Sequence, residues 1–493
     1  MEALFNWLNG IIWSNALIAL CLGAGLWFTL RTRVMQVRGF AEMCRLTVTG
    51  QKSDAGVSSF QALAISMAGR MGIGNIAGVA TAIAYGGPGA VFWMWVMGFL
   101  GASTSYIECT LAQIYKEKDA EGRYRGGPAY YIEKAMGLKW YAVTFAVATV
   151  IATGLLLPGV QANAIADSAS NVLCGAGACE AVGGAGALKL WIGLGVAAVL
   201  ALIIFGGIKR IASMADVLVP IMAFSYIGMT LVVIGMNFGE VPATFAMIFK
   251  AAFGLEPAFA GGIGAAIMMG VKRGLFSNEA GLGSAPNVAA VAEVKHPAAQ
   301  GIVQSLSVFI DTLLVCTSTA LIILLSGVYQ PGSEMAGVVL TQTALAAEVG
   351  EWGRVFVSIA LLLFVFTTLI YNYYLGENAL GFFSQKRGPV VIYRVLVVAL
   401  VLWGSVQDLG TVFAFADVTM GLLAICNLIA LALLFKVGLR LMRDYDAQIK
   451  AGVESPVFDP QKFADLDLDP KVWQAPADAP VTHAELGDRV YQR

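Results

Sequence analysis

Residues 62–95 read ALAISMAGRMGIGNIAGVATAIAYGGPGAVFWMW, an apolar stretch that carries an arginine, an asparagine and closely spaced glycines. About 20 apolar residues are enough to cross the hydrocarbon core of a membrane as a helix, but glycine weakens a helix interior. Unpaired backbone N–H and C=O groups are costly in lipid, so an opened helix is tolerated at membrane depth only where it lines a cavity or contacts a ligand. The stretch therefore predicts a membrane-spanning helix that is broken at a binding site.

The composition places the rest of the chain in a membrane as well. Of its 493 residues, 58% are hydrophobic and 13% are charged, a balance that an ordinary soluble globule does not have. The net charge of −1 offers no concentrated basic surface to a nucleic acid. The two histidines, His296 and His483, lie far apart, and no nucleophile, base or metal constellation is recognisable. We therefore expect neither an enzyme nor a bound cofactor.

Apolar runs predict an all-α integral membrane protein with about eleven transmembrane helices. The runs lie at roughly 9–30, 58–85, 88–115, 140–168, 189–208, 213–236, 258–292, 301–328, 345–376, 389–407 and 411–437. This transmembrane domain is expected to cover 1–440. The remaining 441–493 are acidic and contain prolines, so we expect a cytoplasmic tail that is solvated and partly disordered.

The Lys and Arg residues concentrate in alternate connections between these runs, which predicts the orientation. One set of connections holds Arg31, Arg33, Arg38, Arg45, Lys52, Lys116, Lys118, Arg123, Arg125, Lys134, Lys139, Lys209, Arg210, Lys295, Lys386 and Arg387. The other set holds little beyond Lys189 and Lys250. The positive-inside rule then places the N-terminus outside and the C-terminus in the cytoplasm of a cell bounded by this membrane, the plasma membrane or prokaryotic inner membrane.

An outside location also permits oxidation of one cysteine pair. The motif CGAGAC carries Cys174 and Cys179 in a connection that this topology places outside the cell. A disulfide between them is therefore permitted, and a pair of free thiols is the alternative.

The seventh run is interrupted in the same manner as the second. It reads GGIGAAIMMGVKRGLFSNEAGLGSAPN over 261–287, and it begins five helices after the second run and crosses in the opposite direction. Paired interruptions in two inverted halves, here about 58–236 and 258–437, are typical of the central site of a secondary transporter. The alternative is that each glycine only permits close packing of helices.

Several motifs resemble the signature regions of the alanine or glycine:cation symporter family. They are GxGN followed by GGPGAVFWMW and YIECTLAQIY, and later FSNEAGLGSAPN. The resemblance implies an N-terminal helix followed by the five-plus-five inverted repeat of the leucine-transporter fold, in a monomer or weak oligomer within the lipid bilayer. It also implies that sodium, or sometimes a proton, drives small neutral amino acids inward. One departure is Ile73, where the family commonly has threonine, and this bears on the substrate range.

The resemblance further implies roles for individual residues. The implied substrate-binding residues are Gly72, Gly74, Asn75, Gln161, Ile267, Gly270, Thr367 and Tyr371. The implied sodium ligands are the backbone oxygens of Ala68 and Met71 and the hydroxyls of Thr367 and Thr368. Alternatives remain at two places, since the threonine hydroxyls can bond back to their own helix and Ile267 and Gly270 can be ordinary packing residues.

Ionisable residues within apolar runs tend to face the protein interior and to pair. Those near membrane depth are Arg70, Glu108, Asp167, Asp216, Lys272, Arg273, Glu279 and Asp311. Arg70 and Glu279 come from the two interrupted runs, so we expect them to form a gate or a structural pair.

Together these patterns predict a sodium-coupled symporter for alanine, glycine or a similar small neutral amino acid, which works by alternating access. A carrier coupled to protons, or one for a larger amino acid such as glutamine, is the alternative of the same class. Proton coupling would need a titratable carboxylate at the site, and none lies in GRMGIGNIAG or FVFTTLIYNYY. An ion channel is disfavoured because its pore would need repeated segments or a charged ring.

Overall fold

A computed structural model describes residues 2–48, 56–175, 177–205, 207–255, 262–333, 335–384 and 386–473. Almost all of this part of the chain is helical. Its helices are α1 Glu2–Ile12, α2 Asn15–Arg31, α3 Met35–Arg38, α4 Phe40–Val48, α5 Ser59–Arg70, α6 Val79–Gly86, α7 Gly89–Ile114, α8 Pro128–Met136, α9 Lys139–Thr149, α10 Leu157–Gly175, α11 Ala178–Val182, α12 Ala185–Ile204, α13 Gly207–Met236, α14 Val241–Ala252, α15 Ile263–Asn278, α16 Ala285–Ala289, α17 Pro297–Phe309, α18 Thr317–Leu325, α19 Gly337–Val349, α20 Trp352–Phe383, α21 Arg387–Ser405 and α22 Leu409–Lys450. Strands β1 Glu117–Lys118 and β2 Tyr124–Arg125 form one short antiparallel hairpin.

Irregular turns interrupt several of the long helices. The π-helical segments are Gly74–Gly78, Val150–Leu156 and Ile310–Cys316, and short 3₁₀ turns lie at Phe238–Glu240 and Pro460–Phe463. The first π-helical segment joins α6 to the break after α5, and the other two connect α9 to α10 and α17 to α18. Segments of this kind are frequent at functional sites.

The helices confirm the all-α membrane class. Within the described residues, eight helices are long and apolar enough to cross a membrane, or nine if α5 and the bent helix after it count as one span. The first apolar run, 9–30, falls mainly on α2. The seventh falls on α15, which has 16 residues, and its first positions, 258–261, lie outside the described residues. A count of eleven and the inverted repeat stay predictions.

A buried ionic cluster ties α15 to α22. The Asp417 carboxylate accepts hydrogen bonds from Lys272 Nζ at 2.7 Å and from Arg273 at 2.9 Å. Trp13, in the connection between α1 and α2, donates its indole N–H to the backbone oxygen of Asp417 at 2.9 Å. All three charged side chains are nearly excluded from solvent. The second interrupted helix is therefore fixed to the last long helix by charge.

We expect Asp417→Asn to lower the free energy of unfolding by about 3 kcal/mol, because it leaves two buried cations without their anion. Thermal unfolding of the purified protein in detergent measures the change. Asp167→Asn is the matched control: Asp167 pairs with Lys189, both side chains are partly exposed, and loss of such a pair costs at most about 1 kcal/mol. Equal changes in the two variants would contradict the assignment of a stabilising role to the Asp417 cluster.

The first part of the acidic tail is folded, contrary to the expectation of a solvated segment. Helix α22 continues to Lys450, and Phe458 and Trp473 then pack ring against ring with centroids 5.0 Å apart. The Trp473 indole donates to the backbone oxygen of Ile114 at 3.0 Å. Aromatic residues spaced through an acidic sequence account for this docking, since each buries apolar area. Residues 474–493 of the predicted tail lie outside the described residues.

A buried lysine lies under the docked tail. The Lys116 ammonium donates to the backbone oxygen of Ala292 at 2.7 Å and lies 4.1 Å from the Tyr124 ring and 5.2 Å from the Trp473 ring. Burial lowers the pKa of Lys116 to about 7. The ammonium thus links the end of α7, the loop after α16 and the tail. The structure joins Cys174 and Cys179 in a disulfide.

Candidate functional site

The GRMGIGNIAG sequence forms a break between two helices. Helix α5 ends at Arg70, the backbone leaves helical geometry at Met71, and the chain resumes as the π-helical segment Gly74–Gly78, with a bend of 50° between the two parts. The residues of the break are buried. The predicted interruption of this helix is therefore confirmed.

Two glycines let α20 pack directly on the break. A Cβ atom at Gly69 would lie 2.3 Å from the Tyr371 ring, and one at Gly72 would lie 2.5 Å from Thr368 Oγ1. Non-bonded carbon and oxygen atoms do not approach this closely. Glycine is thus needed here for the approach of α20, in addition to any weakening of the helix.

Oxygen atoms from α5, the break and α20 meet at this contact. Thr368 Oγ1 lies 2.8 Å from the Ala68 carbonyl oxygen and 3.3 Å from that of Met71, and Thr367 Oγ1 lies 3.5 Å from the Ala68 oxygen. The carbonyl oxygen of Phe364 accepts from both hydroxyls, at 2.8 and 2.9 Å. Five neutral oxygens therefore converge, a ligand set suited to a hard cation. The sequence analysis missed Phe364, although back-bonding by the two threonines would have pointed to it.

A small cavity of about 10 Å³ lies beside this oxygen cluster, about the room of one water molecule. Its lining residues are Gly69, Arg70, Gly72, Ile73, Gly74, Leu157, Gln161, Phe276, Glu279, Thr368 and Met420. Gln161 Oε1 is buried there and has no hydrogen-bond partner among the residues that the structure describes. An unpaired buried carbonyl oxygen is a ready acceptor for a ligand N–H.

Five of the eight predicted substrate residues do not line this cavity: Asn75, Ile267, Gly270, Thr367 and Tyr371. The Asn75 side chain points instead to Asp311 in the π-helical segment after α17, and its Oδ1 accepts the Gly72 N–H at 2.9 Å. Ile267 and Gly270 do not line the cavity; a Cβ at Gly270 would lie 2.6 Å from the Ala90 carbonyl oxygen of α7. The reason is that α15 runs unbroken to Asn278, so the interruption is confined to the later part of the predicted stretch 261–287. From this part of the chain, Phe276 and Glu279 reach the cavity instead.

Arg70 and Glu279 both line the cavity, but no salt bridge joins these two described residues. Arg70 donates to the backbone oxygen of Gln304 at 3.1 Å, to Ser307, and to Ser105 at 3.0 Å. The Glu279 carboxylate accepts from Ser284. The expected Arg70–Glu279 pair is therefore not formed, because Arg70 extends toward α17 and α7 while Glu279 turns into the loop before α16.

Tyr371 links α20 to the second break. Its hydroxyl donates to Glu279 at 3.3 Å, and its ring packs on Gly69. The side chain is fully buried. Of the predicted α20 residues, Thr368 lines the cavity directly, and Tyr371 connects the first break to Glu279 at the second.

A carboxylate that the sequence analysis did not assign to the site lies beside the break. Asp311, in the π-helical segment after α17, accepts from Asn75 Nδ2 at 2.6 Å. It also accepts from Ser277 at 2.9 Å and from Thr312 at 3.0 Å. Asp311 is fully buried. The only sequence signal was an acidic residue inside an apolar run.

A family model described as "Sodium:alanine symporter family" matches residues 1–460. The chain is 45% identical over 461 residues to a Bacillus subtilis (strain 168) protein named "Probable sodium/glutamine symporter GlnT", covering 93% of each chain.

Two further relatives carry names that include alanine. The "Sodium/proton-dependent alanine carrier protein" of Bacillus sp. (strain PS3) is 41% identical over 437 residues, which are 85% of this chain and 95% of the relative. The "Sodium/alanine symporter AgcS" of Methanococcus maripaludis is 39% identical over 442 residues, which are 88% of this chain and 94% of the relative. The similarity extends over nearly the full length of each protein.

Proposed function

The chain belongs to the sodium:alanine symporter family, and on this premise we propose that it carries alanine or a similarly small neutral amino acid into the cell together with sodium. The observation that carries the proposal is one residue, Thr368, which belongs both to the oxygen cluster and to the lining of the cavity. A sodium ion and an amino acid bound there would both lie next to Thr368.

Sodium is proposed to bind among the oxygens of Ala68, Met71, Phe364, Thr367 and Thr368. The support is their convergence and the neutral charge of every contributor. A bound cation would replace the hydrogen bonds that these hydroxyls now make and would hold α20 against the break. Binding of the ion would thereby order the wall of the substrate cavity, which couples the two sites reciprocally.

The amino acid is proposed to occupy the cavity between the first break, α10 and the end of α15. Gln161 offers an unpaired oxygen to the ammonium group, and the backbone at Gly72 and Gly74 offers amide donors to the carboxylate. The cavity holds about 10 Å³ in this structure, so even alanine requires side chains such as Phe276 and Met420 to move. This small size favours alanine and glycine over larger amino acids.

Glutamine is the second candidate substrate, because one relative at 45% identity is named a sodium/glutamine symporter. A glutamine side chain would need considerably more movement of the cavity wall than the methyl group of alanine. A comparison of the two substrates in one assay therefore decides between them.

The wider arrangement that we propose is a carrier with an inverted repeat, its N-terminus outside and its C-terminus in the cytoplasm of the plasma membrane. It is supported by the two breaks and by the distribution of basic residues. Inward movement of one sodium ion gains about 2.3 kcal/mol per 100 mV of membrane potential, enough to concentrate a substrate without net charge roughly tens-fold.

Uptake into vesicles of the purified protein tests the proposal. Labelled alanine, glycine and glutamine are each supplied with an imposed sodium gradient or with none. We expect uptake of alanine and glycine that requires the gradient and exceeds uptake of glutamine. Equal uptake with and without the sodium gradient would contradict symport, and faster uptake of glutamine than of alanine would contradict the assigned substrate.

Gln161→Leu is expected to weaken alanine binding about ten-fold, because the ammonium group loses an acceptor in a buried site. The affinity of the protein for sodium in the absence of alanine should change little. Equilibrium binding of labelled alanine and of sodium to purified protein separates these effects. Gln407→Leu is the control, since Gln407 lies outside the cavity lining; equal losses in both variants would remove Gln161 from the site.

A further inference from the structure

We propose that Asp311 is a proton-binding group that controls access of the substrate carboxylate to the first break. This inference rests on the proposed function, because it assigns a proton to the same transport cycle. Asp311 is fully buried at membrane depth, and no salt bridge to a basic side chain is formed within the described residues. Ionisable groups so placed are usually functional.

The hydrogen bonds of Asp311 connect it to the substrate site through one side chain. Asp311 Oδ1 accepts from Asn75 Nδ2 at 2.6 Å, and Asn75 Oδ1 accepts the Gly72 N–H at 2.9 Å. Because a backbone N–H can only donate, the orientation of the Asn75 amide is fixed, and its NH₂ group faces Asp311. A single amide thus lies between the carboxylate and a backbone donor of the break, and the same N–H also donates to the Arg70 carbonyl oxygen at 2.9 Å.

This arrangement favours a proton over a sodium ion at Asp311. Sodium would require several free oxygens, whereas Asn75 presents N–H and the hydroxyls of Ser277 and Thr312 already donate to Oδ2. A proton needs one lone pair only. It can bind Oδ2 once either hydroxyl rotates from donor to acceptor.

The charged groups around Asp311 make their hydrogen bonds to other residues. Arg70 is the nearby cation, and its guanidinium donates to Ser105, Ser307 and Gln304. The thiol of Cys316 shares the Asn75 and Ser277 partners of Asp311.

Other charged and titratable groups lie on or next to the elements packed against this segment. They are Glu108 bonded to Gly281, Gly283 and Asn427, Glu279 bonded to Ser284 and Tyr371, Asp216 bonded to Gln61, Arg210 bonded to Leu202, Lys272 and Arg273 bonded to Asp417, Tyr226 bonded to Thr319, Cys109 bonded to Ser105, and Tyr106 on α7.

Protonation of Asp311 would release the break for the substrate. The ionised carboxylate holds Asn75 by a charge-assisted bond, and Asn75 in turn occupies the Gly72 N–H. A proton taken from the outer solution forms an O–H bond on Asp311, removes the negative charge and weakens that hold. The Gly72 N–H then keeps only its bond to the Arg70 carbonyl oxygen and can turn to the substrate carboxylate. The proton leaves to the cytoplasmic solution after the substrate does. Proton and substrate binding therefore favour each other.

Asp311→Asn mimics the protonated state and tests the inference. For the natural protein in vesicles, with a constant sodium gradient, we expect alanine affinity to fall at least ten-fold from pH 6 to pH 8 and alanine uptake to carry protons inward, detected by an internal pH dye. In Asp311→Asn, alanine affinity should no longer depend on pH and proton entry should be lost, while the dependence of affinity on sodium persists. Asp216→Asn is the matched control and should retain the pH dependence of the natural protein.

Three outcomes would overturn the inference. They are a pH dependence that survives in Asp311→Asn, alanine affinity in the natural protein that does not change with pH, and loss of sodium-dependent binding in Asp311→Asn, which would make this a sodium site. If Asp311→Asn does not fold, Asp311→Glu keeps a titratable group and must shift the midpoint of the pH dependence. The absence of sodium-dependent alanine binding by the natural protein at every pH would instead contradict the proposed function itself.

Discussion

Replacing Thr367 and Thr368 together by alanine is expected to reduce sodium-driven alanine uptake at least about 100-fold, equivalent to about 2.7 kcal/mol of lost ion binding. The double substitution removes two of the five oxygens that converge at the break. A hard cation that has lost its water ligands needs protein oxygens in their place. Initial rates of labelled alanine uptake, measured over a range of sodium concentrations, give both the loss and the change in sodium affinity.

A double control separates this effect from a general loss of buried hydroxyls. Thr149 and Thr230 are also buried, and their hydroxyls donate to carbonyl oxygens of their own helices. Thr149→Ala with Thr230→Ala should keep sodium-driven uptake within about two-fold, because neither residue lines the cavity or supplies one of the five oxygens, and effects at separate sites are independent. The proposed sodium site is wrong if the double variant Thr367→Ala with Thr368→Ala still takes up alanine with the sodium affinity of the natural protein.

Gly72→Ala is expected to lower uptake at least about ten-fold and to weaken sodium binding, although it adds only one methyl group. The new Cβ would lie 2.5 Å from Thr368 Oγ1 and 3.2 Å from Thr368 Cβ. Threonine is stiff at χ1, so α20 must move away from the break. That movement separates the Thr368 hydroxyl from the Ala68 and Met71 oxygens. Sodium titration of purified protein and uptake in vesicles measure the two effects.

Gly228→Ala is the matched control for this substitution. A Cβ at Gly228 meets no atom within 4 Å, and alanine there should support the helix α13 without a change in uptake. If Gly72→Ala behaves like Gly228→Ala, the contact between α20 and the break does not limit transport. Melting temperatures of both variants distinguish a transport defect from misfolding.

Local sequence patterns were enough to predict the membrane class and the first helix break. Apolar length and glycine spacing predicted the membrane class and the first break, both of which the structure confirms, and the family resemblance is confirmed by the family model over residues 1–460. Transport, as opposed to enzymatic chemistry, follows from the family. These features depend on lipid solvation of a continuous stretch, which a sequence displays directly.

Features that depend on two distant segments could not be predicted. The family resemblance implied Gly270 as a pocket residue, with ordinary packing as the alternative, and the space beside it is filled by α7. Asp311 meets Asn75 across 236 residues of sequence, and no periodicity within either segment indicates the contact. The packing of the helices, and not the sequence, distinguishes a glycine at a helix break from a glycine that allows a neighbouring helix to approach.

The docked tail has a practical consequence for handling the protein. Phe458 and Trp473 pack against the C-terminal end of α7 and the loop after α16. Cutting the chain after Lys450 to ease purification would uncover the Ile114 carbonyl and the apolar surface around Lys116. Any shortened form should therefore keep every residue up to Trp473, and a fusion partner belongs beyond it.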